Sequence, residues 1–170
     1  MGLRAGKIVD AIVRKNGTEE LVGIATVTLP DIENSTEEME GLGLGKYEEV
    51  IGNYFGALNL SLKFTGISKD IKFSQGKTVS LIIKAEINTI DDSTHDNNNQ
   101  VLTASIKGKV KKRTGGELGR AVKNEPEIEI ALTYYKLEIS GEVIHEIDVF
   151  GKKALIDGED LYETTKSLLS

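Results

Sequence analysis

Over most of its length this chain alternates apolar and polar residues with a period of two, which strands can satisfy and helices cannot. In residues 57–64, Leu58, Leu60, Leu62 and Phe64 share one face while Asn59, Ser61 and Lys63 share the other. Residues 79–88 repeat the pattern with Val79, Leu81, Ile83, Ala85 and Ile87. Residues 101–110 follow with Leu102, Ala104, Ile106 and Val110 in phase. Residues 127–139 begin with Ile128, Ile130 and Leu132, but Leu137 and Ile139 fall on the other parity, so a bulge is expected near Tyr134-Tyr135. Ser140-Gly141 reads as a hairpin turn into a strand over 142–150, and residues 7–14 and 20–29 read as two strands joined at Asn16-Gly17, with Pro30 ending the second. Half-buried strands with antiparallel connections predict a mainly β chain, an antiparallel sandwich or barrel.

Helix is scarce. Residues 68–75 ("SKDIKFSQ") predict one short flanking helix capped by Ser68 and closed by Gly76, and 158–168 a C-terminal one. Two connections, 30–56 and 111–126, are longer than the roughly 15 residues a compact domain tolerates without a use for them. Their charges are opposite. Residues 31–49 hold seven acids (Asp31, Glu33, Glu37, Glu38, Glu40, Glu48, Glu49) and one base (Lys46), a net of −6. Residues 107–123 hold seven bases (Lys107, Lys109, Lys111, Lys112, Arg113, Arg120, Lys123) and one acid (Glu117), a net of +6. Such blocks serve as solvated faces, and they also let copies of one chain attract each other.

The length of 170 residues suits a single domain spanning 1–170, able to bury roughly 70% of its unfolded surface. Cysteine is absent, which excludes disulfides and thiolate metal sites. No apolar leader and no run of about 18 apolar residues is present, so the expectation is a chain made in the cytoplasm, with no membrane-spanning segment. Asn16-Gly17-Thr18 and Asn34-Ser35-Thr36 match a glycosylation sequon but read as turn chemistry.

Catalytic equipment is thin. "GLGLGK" (41–46) resembles a phosphate loop, but Gly41 and Gly45 enclose three residues rather than four, Tyr47 replaces the magnesium hydroxyl, and acids flank it. "DDSTHDNNNQ" (91–100) lacks the glycine and terminal glutamate of a calcium loop and reads as a polar hairpin tip. His95 and His145 have no spaced second ligand, and His145 alternates with Val143 and Ile147 as a half-buried structural histidine would. The basic block has no aromatic for base stacking. No catalytic residue, cofactor site or metal site is expected, and the chain reads as a structural protein rather than an enzyme.

Several pieces, in order, resemble the major tail tube protein family of contractile phage tails. Val27-Thr28-Leu29-Pro30 ends the second strand, Gly41-Leu42-Gly43-Leu44-Gly45 follows, and Gly56-Ala57-Leu58 opens the next strand. Tyr134-Tyr135-Lys136-Leu137, Ser140-Gly141-Glu142, Glu146-Ile147-Asp148 and Asp157-Gly158-Glu159-Asp160 complete the series. Two departures stand out: the family's central helix is shortened to "SKDIKFSQ", and Asp157-Gly158 occupies a place where Asn-Gly is common.

The resemblance implies a tail-tube-like β-sandwich or barrel whose copies form hexameric rings stacked into a tube. It also implies contacts with a tail sheath, a baseplate hub and a tail terminator, with DNA passing through unbound. The 30–56 loop would be an arm reaching a neighbour. Ring contacts are then expected from Glu37, Glu38, Glu40, Gly41, Gly43, Gly45, Lys46, Lys111, Lys112 and Arg113. The polar strand faces, with Asn59, Ser61, Glu127, Glu129 and Thr133, are the expected wall of the lumen. A headless contractile bacteriocin or a secretion tube would use the same fold. From a different class, a monomeric β-barrel binding module would explain the alternation but not the two charged connections.

Overall fold

The computed structural model describes residues 3–16, 19–43, 45–69 and 72–170. In chain order the strands are β1 (Leu3–Lys15), β2 (Glu19–Glu20), β3 (Ile24–Thr28), β4 (Asn34–Gly41), β5 (Gly45–Phe55) and β6 (Leu58–Phe64). After them come β7 (Thr78–Asp91), β8 (Gln100–Thr114), β9 (Glu127–Ile139), β10 (Glu142–Asp148), β11 (Lys153–Ile156) and β12 (Glu159–Asp160). A short helix, α1 (Glu163–Leu169), closes the chain.

Antiparallel pairing runs β2-β1-β7-β8-β9-β6-β3. The first and last strands of that path are separated in the chain only by Leu21–Gly23, so the sheet has to curl until its ends meet. Curling converts the period-two faces into an inside and an outside. Leu60, Leu62, Leu81, Ile83, Ala104, Ile106, Ile128 and Ile130 are all buried in the interior, as their alternation predicts. On one side β9 pairs with β8 over nearly its whole length; its other edge is divided. Glu127–Leu132 pair with β6, and Tyr134–Ile139 with β10, which carries β11 and β12 outward as a flange.

Thr133 sits at the changeover. Lys107 and Gly108 are adjacent on β8, yet they face Tyr134 and Leu132, leaving Thr133 as the extra residue of a bulge. That bulge restores the core to Tyr135 after Leu132 and accounts for the phase slip. Ser140 (φ 49°) and Gly141 (φ 85°) form the expected tight turn, both in the left-handed region.

Five expectations change. The connection 30–56 is not a loop but the hairpin β4–β5. The connection 111–126 begins later, because β8 continues through Lys111, Lys112 and Arg113 to Thr114. Residues 68–69 and 72–75 are not helical, while Asp70 and Ile71 lie outside the described residues. Phe73 instead turns into the core against Phe64, with ring centroids 6.5 Å apart, and Gln75 bridges to Val110. Burying one aromatic outweighs a single helical turn, which is marginal in water. Finally, α1 starts only at Glu163, because Asp157 (φ 51°) and Gly158 (φ 84°) make the turn from β11 into β12. The strand expected over 20–29 is split at Gly23 (φ 81°), where the chain leaves β1 and crosses to β6. The turn at Asn16-Gly17 involves Gly17, outside the described residues.

Candidate functional site

The hairpin β4–β5 pairs only with itself; among the described residues no other strand extends its sheet. Its base is closed by the Gly56 amide donating to the Glu33 carbonyl at 2.8 Å. Above that, the Asn34 side-chain amide donates to the carbonyls of Ile51 and Gly52 at 3.0 and 3.1 Å. A strand of this length extends roughly 25 Å at about 3.3 Å per residue. Glu37 stands opposite Glu49 and Glu38 opposite Glu48, two like-charged cross-strand pairs of the kind that destabilise a sheet. Glu40 faces Lys46, and Lys46 Nζ also lies 3.9 Å from Glu38 Oε1. Gly41 pairs with Gly45, while Gly43 (φ 80°) and Gly45 (φ 70°) turn the tip around an exposed Leu42. This geometry also disposes of the phosphate loop. Gly45-Lys46 opens a strand rather than a helix, so no helical N-terminus presents its amides to an anion.

The basic residues run along the second half of β8 and into the following segment. Lys111 is already occupied, its Nζ 3.4 Å from Glu129 Oε1, and Arg113 donates to the Phe73 carbonyl at 2.9 Å. Lys107, Lys109 and Lys112 are exposed, with no carboxylate at ion-pair distance among the described residues. The segment after β8 is held by one side chain. Asn124 donates to the carbonyls of Gly115 and Glu117 at 3.1 and 2.9 Å and accepts from the Ile67 amide at 3.1 Å. No ion pair joins the hairpin to these bases within one chain, among the described residues.

Asn59 pairs with Ala131, Ser61 with Glu129 and Lys63 with Glu127, so four of the expected wall residues share one face of β6–β9. Thr133 is the bulge residue, with its hydroxyl 3.5 Å from the Lys107 carbonyl. Alternation already placed Lys63 on this face, but it had not shown that Lys111 reaches Glu129 from β8. Lys63 Nζ lies 2.8 Å from Glu125, a hydrogen bond that raises the Lys63 pKa and lowers that of Glu125. This face therefore carries mixed charge.

A second polar cluster fastens the flange. Tyr134 Oη donates to Glu146 Oε2 at 2.7 Å, and Lys153 Nζ bonds Glu146 Oε1. Those two bonds, Lys153's first, hold the Glu146 carboxyl below its ordinary range, while burial and the bond to Glu146 push the Tyr134 hydroxyl up. His145 is half-buried, with Nδ1 3.9 Å from Asp157 Oδ1. At the β7–β8 tip, Asp91 accepts from the Ser93 amide and hydroxyl at 2.8 and 2.7 Å, the hydrogen bonds of a polar turn. Among the described residues no cluster of three metal-ligating side chains occurs.

A curled antiparallel barrel with a flange on one strand and a charged hairpin standing clear of it is a tail-tube-type β-fold. The same fold occurs in the sheath/tube terminator of an extracellular contractile injection system, PVC, with a TM-score of 0.51 at 15% identity, covering 78% of this chain and 96% of that one. The sheath-tube complex of that system gives 0.48 at 15% identity, covering 75% and 87%. The family model for phage tail tube protein FII matches residues 6–169, and the chain belongs to that family. Among its relatives, the major tail tube protein of Serratia phage KSP20 is 24% identical over 148 residues, which is 86% of this chain and 85% of that protein. The chain is thus a tail tube protein, a structural component of a phage tail or phage-like particle.

Proposed function

We propose that this chain is the repeating subunit of the inner tube of a contractile phage tail. Six copies close into a ring, and rings stack around a channel through which DNA passes without specific binding. The observation that carries this reading is the β4–β5 hairpin, which pairs with no other strand among the described residues. A lone two-stranded hairpin is marginal in water, and two opposed glutamate pairs weaken it further. Cations of a neighbouring copy would relieve that repulsion. Lys107, Lys109 and Lys112, without an ion-pair partner among the described residues, are the nearest match in chemistry, with Lys111 and Arg113 beside them. Glu37, Glu38, Glu40, Gly41, Gly43, Gly45 and Lys46 would then form the ring-to-ring contact from the other side.

The edge of β1 supports the same reading. Along residues 3–12 its outer edge has no strand partner among the described residues. Such an edge is an aggregation hazard unless something pairs it, and ring closure would. The wall of Asn59, Ser61, Glu127, Glu129 and Thr133 would face the channel. Mixed charge there, screened within about 8 Å, would keep DNA from adhering. A sheath outside, a terminator at one end and a baseplate hub at the other would complete the particle, with synthesis in the host cytoplasm. No catalysis and no cofactor enter this role. The second reading, a tube of a headless bacteriocin or an injection system, is favoured by the fold shared with the terminator of such a system.

Electron microscopy and size-exclusion chromatography of the purified chain test the proposal. Rings or hollow tubes are expected; a monodisperse monomer at every concentration would refute it.

A further inference from the structure

We infer that Leu42, at the tip of the acidic hairpin, docks into an apolar cleft at the basic end of the barrel in a second copy of this chain. The inference rests on the tube reading above and names the contact by which neighbours would hold each other. Leu42 is fully exposed, at a turn whose flanking glycines leave it standing clear of the strands. An isolated exposed leucine is ordinary and explains nothing alone. Here it crowns an arm with a net charge of −6, counted above over residues 31–49.

The matching feature lies where the bases are. A cleft of about 130 Å³ opens at the end of the barrel between the chain after β6, the end of β8 and the segment leading into β9. Its floor is Phe64, Pro126 and Ile128, all buried, and its lip is Ile67, Thr114 and Arg113. Ile67 is 64% exposed, so one side of the lip is apolar and open to solvent. Asn124 ties the segment 115–124, with Arg120 and Lys123, against Ile67 by the three hydrogen bonds described above. Arg113 on the lip, with Arg120 and Lys123 against Glu117 in that segment, leaves the rim net positive around an apolar floor, the complement of an apolar tip on an anionic arm.

Charge also decides against the rival cleft. A larger one, about 310 Å³, lies beneath Phe55, Leu132, Ile147 and Tyr162, but its lip carries Asp148 beside Lys153, and Lys153 is already bonded to Glu146. An acidic arm gains nothing there. Leu42 is fully exposed and lines neither cleft of its own chain, so the occupant is a second copy.

The native chain has no cysteine, so disulfide trapping has a clean background. Leu42→Cys with Ile67→Cys, oxidised after assembly, is expected to give a covalent ladder on non-reducing gels. Leu42→Cys with Val149→Cys, which probes the rival cleft, is expected to give none. Leu42→Asp should raise the concentration needed for assembly about tenfold or more, and Leu42→Met should leave it within about threefold. Tubes that assemble without the first ladder, a ladder only from the second pair, or normal assembly of Leu42→Asp would each overturn the inference while leaving the tube reading intact. A wild-type chain that never assembles would overturn both.

Discussion

Gly108 is the position where one methyl group should do the most damage. It lies on β8 where the Thr133 bulge brings the β9 backbone across it. A Cβ placed there would stand 2.2 Å from the Ala131 carbonyl oxygen and 2.9 Å from both the Ala131 carbonyl carbon and the Leu132 Cα. A carbon approaches a carbonyl oxygen comfortably only at roughly 3.3–3.6 Å, so the strands must part by about 1 Å. All three obstructing atoms are backbone, so no side chain can rotate away. Nor can β9 retreat freely, because β6 is paired to its other edge at Leu132 and Ala131. Overpacking costs about 1–3 kcal/mol, and each ladder hydrogen bond lost adds about 0.5–1.5. Gly108→Ala should therefore destabilise the fold by about 2–5 kcal/mol. With a urea slope of roughly 2–3 kcal/mol per M, the midpoint should fall by roughly 1–2 M. Gly115→Ala is the control, since nothing lies within 4 Å of its Cβ position and its φ is not left-handed; it should stay within about 0.5 kcal/mol of wild type. If Gly108→Ala unfolds at the wild-type midpoint, the close approach argued for the bulge is wrong.

Leu60→Ala or Ile83→Ala should cost about 2–5 kcal/mol by urea titration, whereas Ser61→Ala, half-buried on the polar face, should cost little; equal losses at 60 and 61 would contradict the register. Because the Glu146 carboxyl is held below its ordinary value of 4.5, its contribution is complete above that pH and disappears as pH falls through the depressed folded value. Glu146→Gln should flatten that acid limb of stability, and an unchanged limb would dissociate the flange network from it. Reversing Lys107, Lys109 and Lys112 to Glu should slow tube growth without changing the unfolding midpoint, and added salt should slow the wild type; each exposed pair is worth only about 0–1 kcal/mol, so the triple change is needed. ATP and divalent metals should leave the thermal midpoint unmoved, and a stabilisation by ATP that vanished in Lys46→Ala would revive the phosphate-loop reading.

Alternation alone determined the interior of β6, β7, β8 and β9, because a half-buried antiparallel strand must place its apolar side chains on one parity. The same rule exposed the bulge, since Ile128, Ile130 and Leu132 cannot share a face with Tyr135 and Leu137 unless a residue is inserted. The matched pieces from Val27 to Asp160 carried the family, and with it the tail-tube fold. Alternation could not reveal β4–β5, whose two faces are both largely exposed, so selection for a core left no pattern there. Nor could it announce that β9 would divide its edge between β6 and β10, because a period of two says which way a side chain points and nothing about which strand lies beside it. The segment 68–75 failed in the opposite sense: its local capping chemistry favours a helix, but Phe73 gains more by entering the core. Gly108 shows the same limit from the other side. Nothing in "SIKGKV" marks that glycine as indispensable; only the folded sheet, by laying the Ala131 carbonyl across it, removes the room for any other side chain.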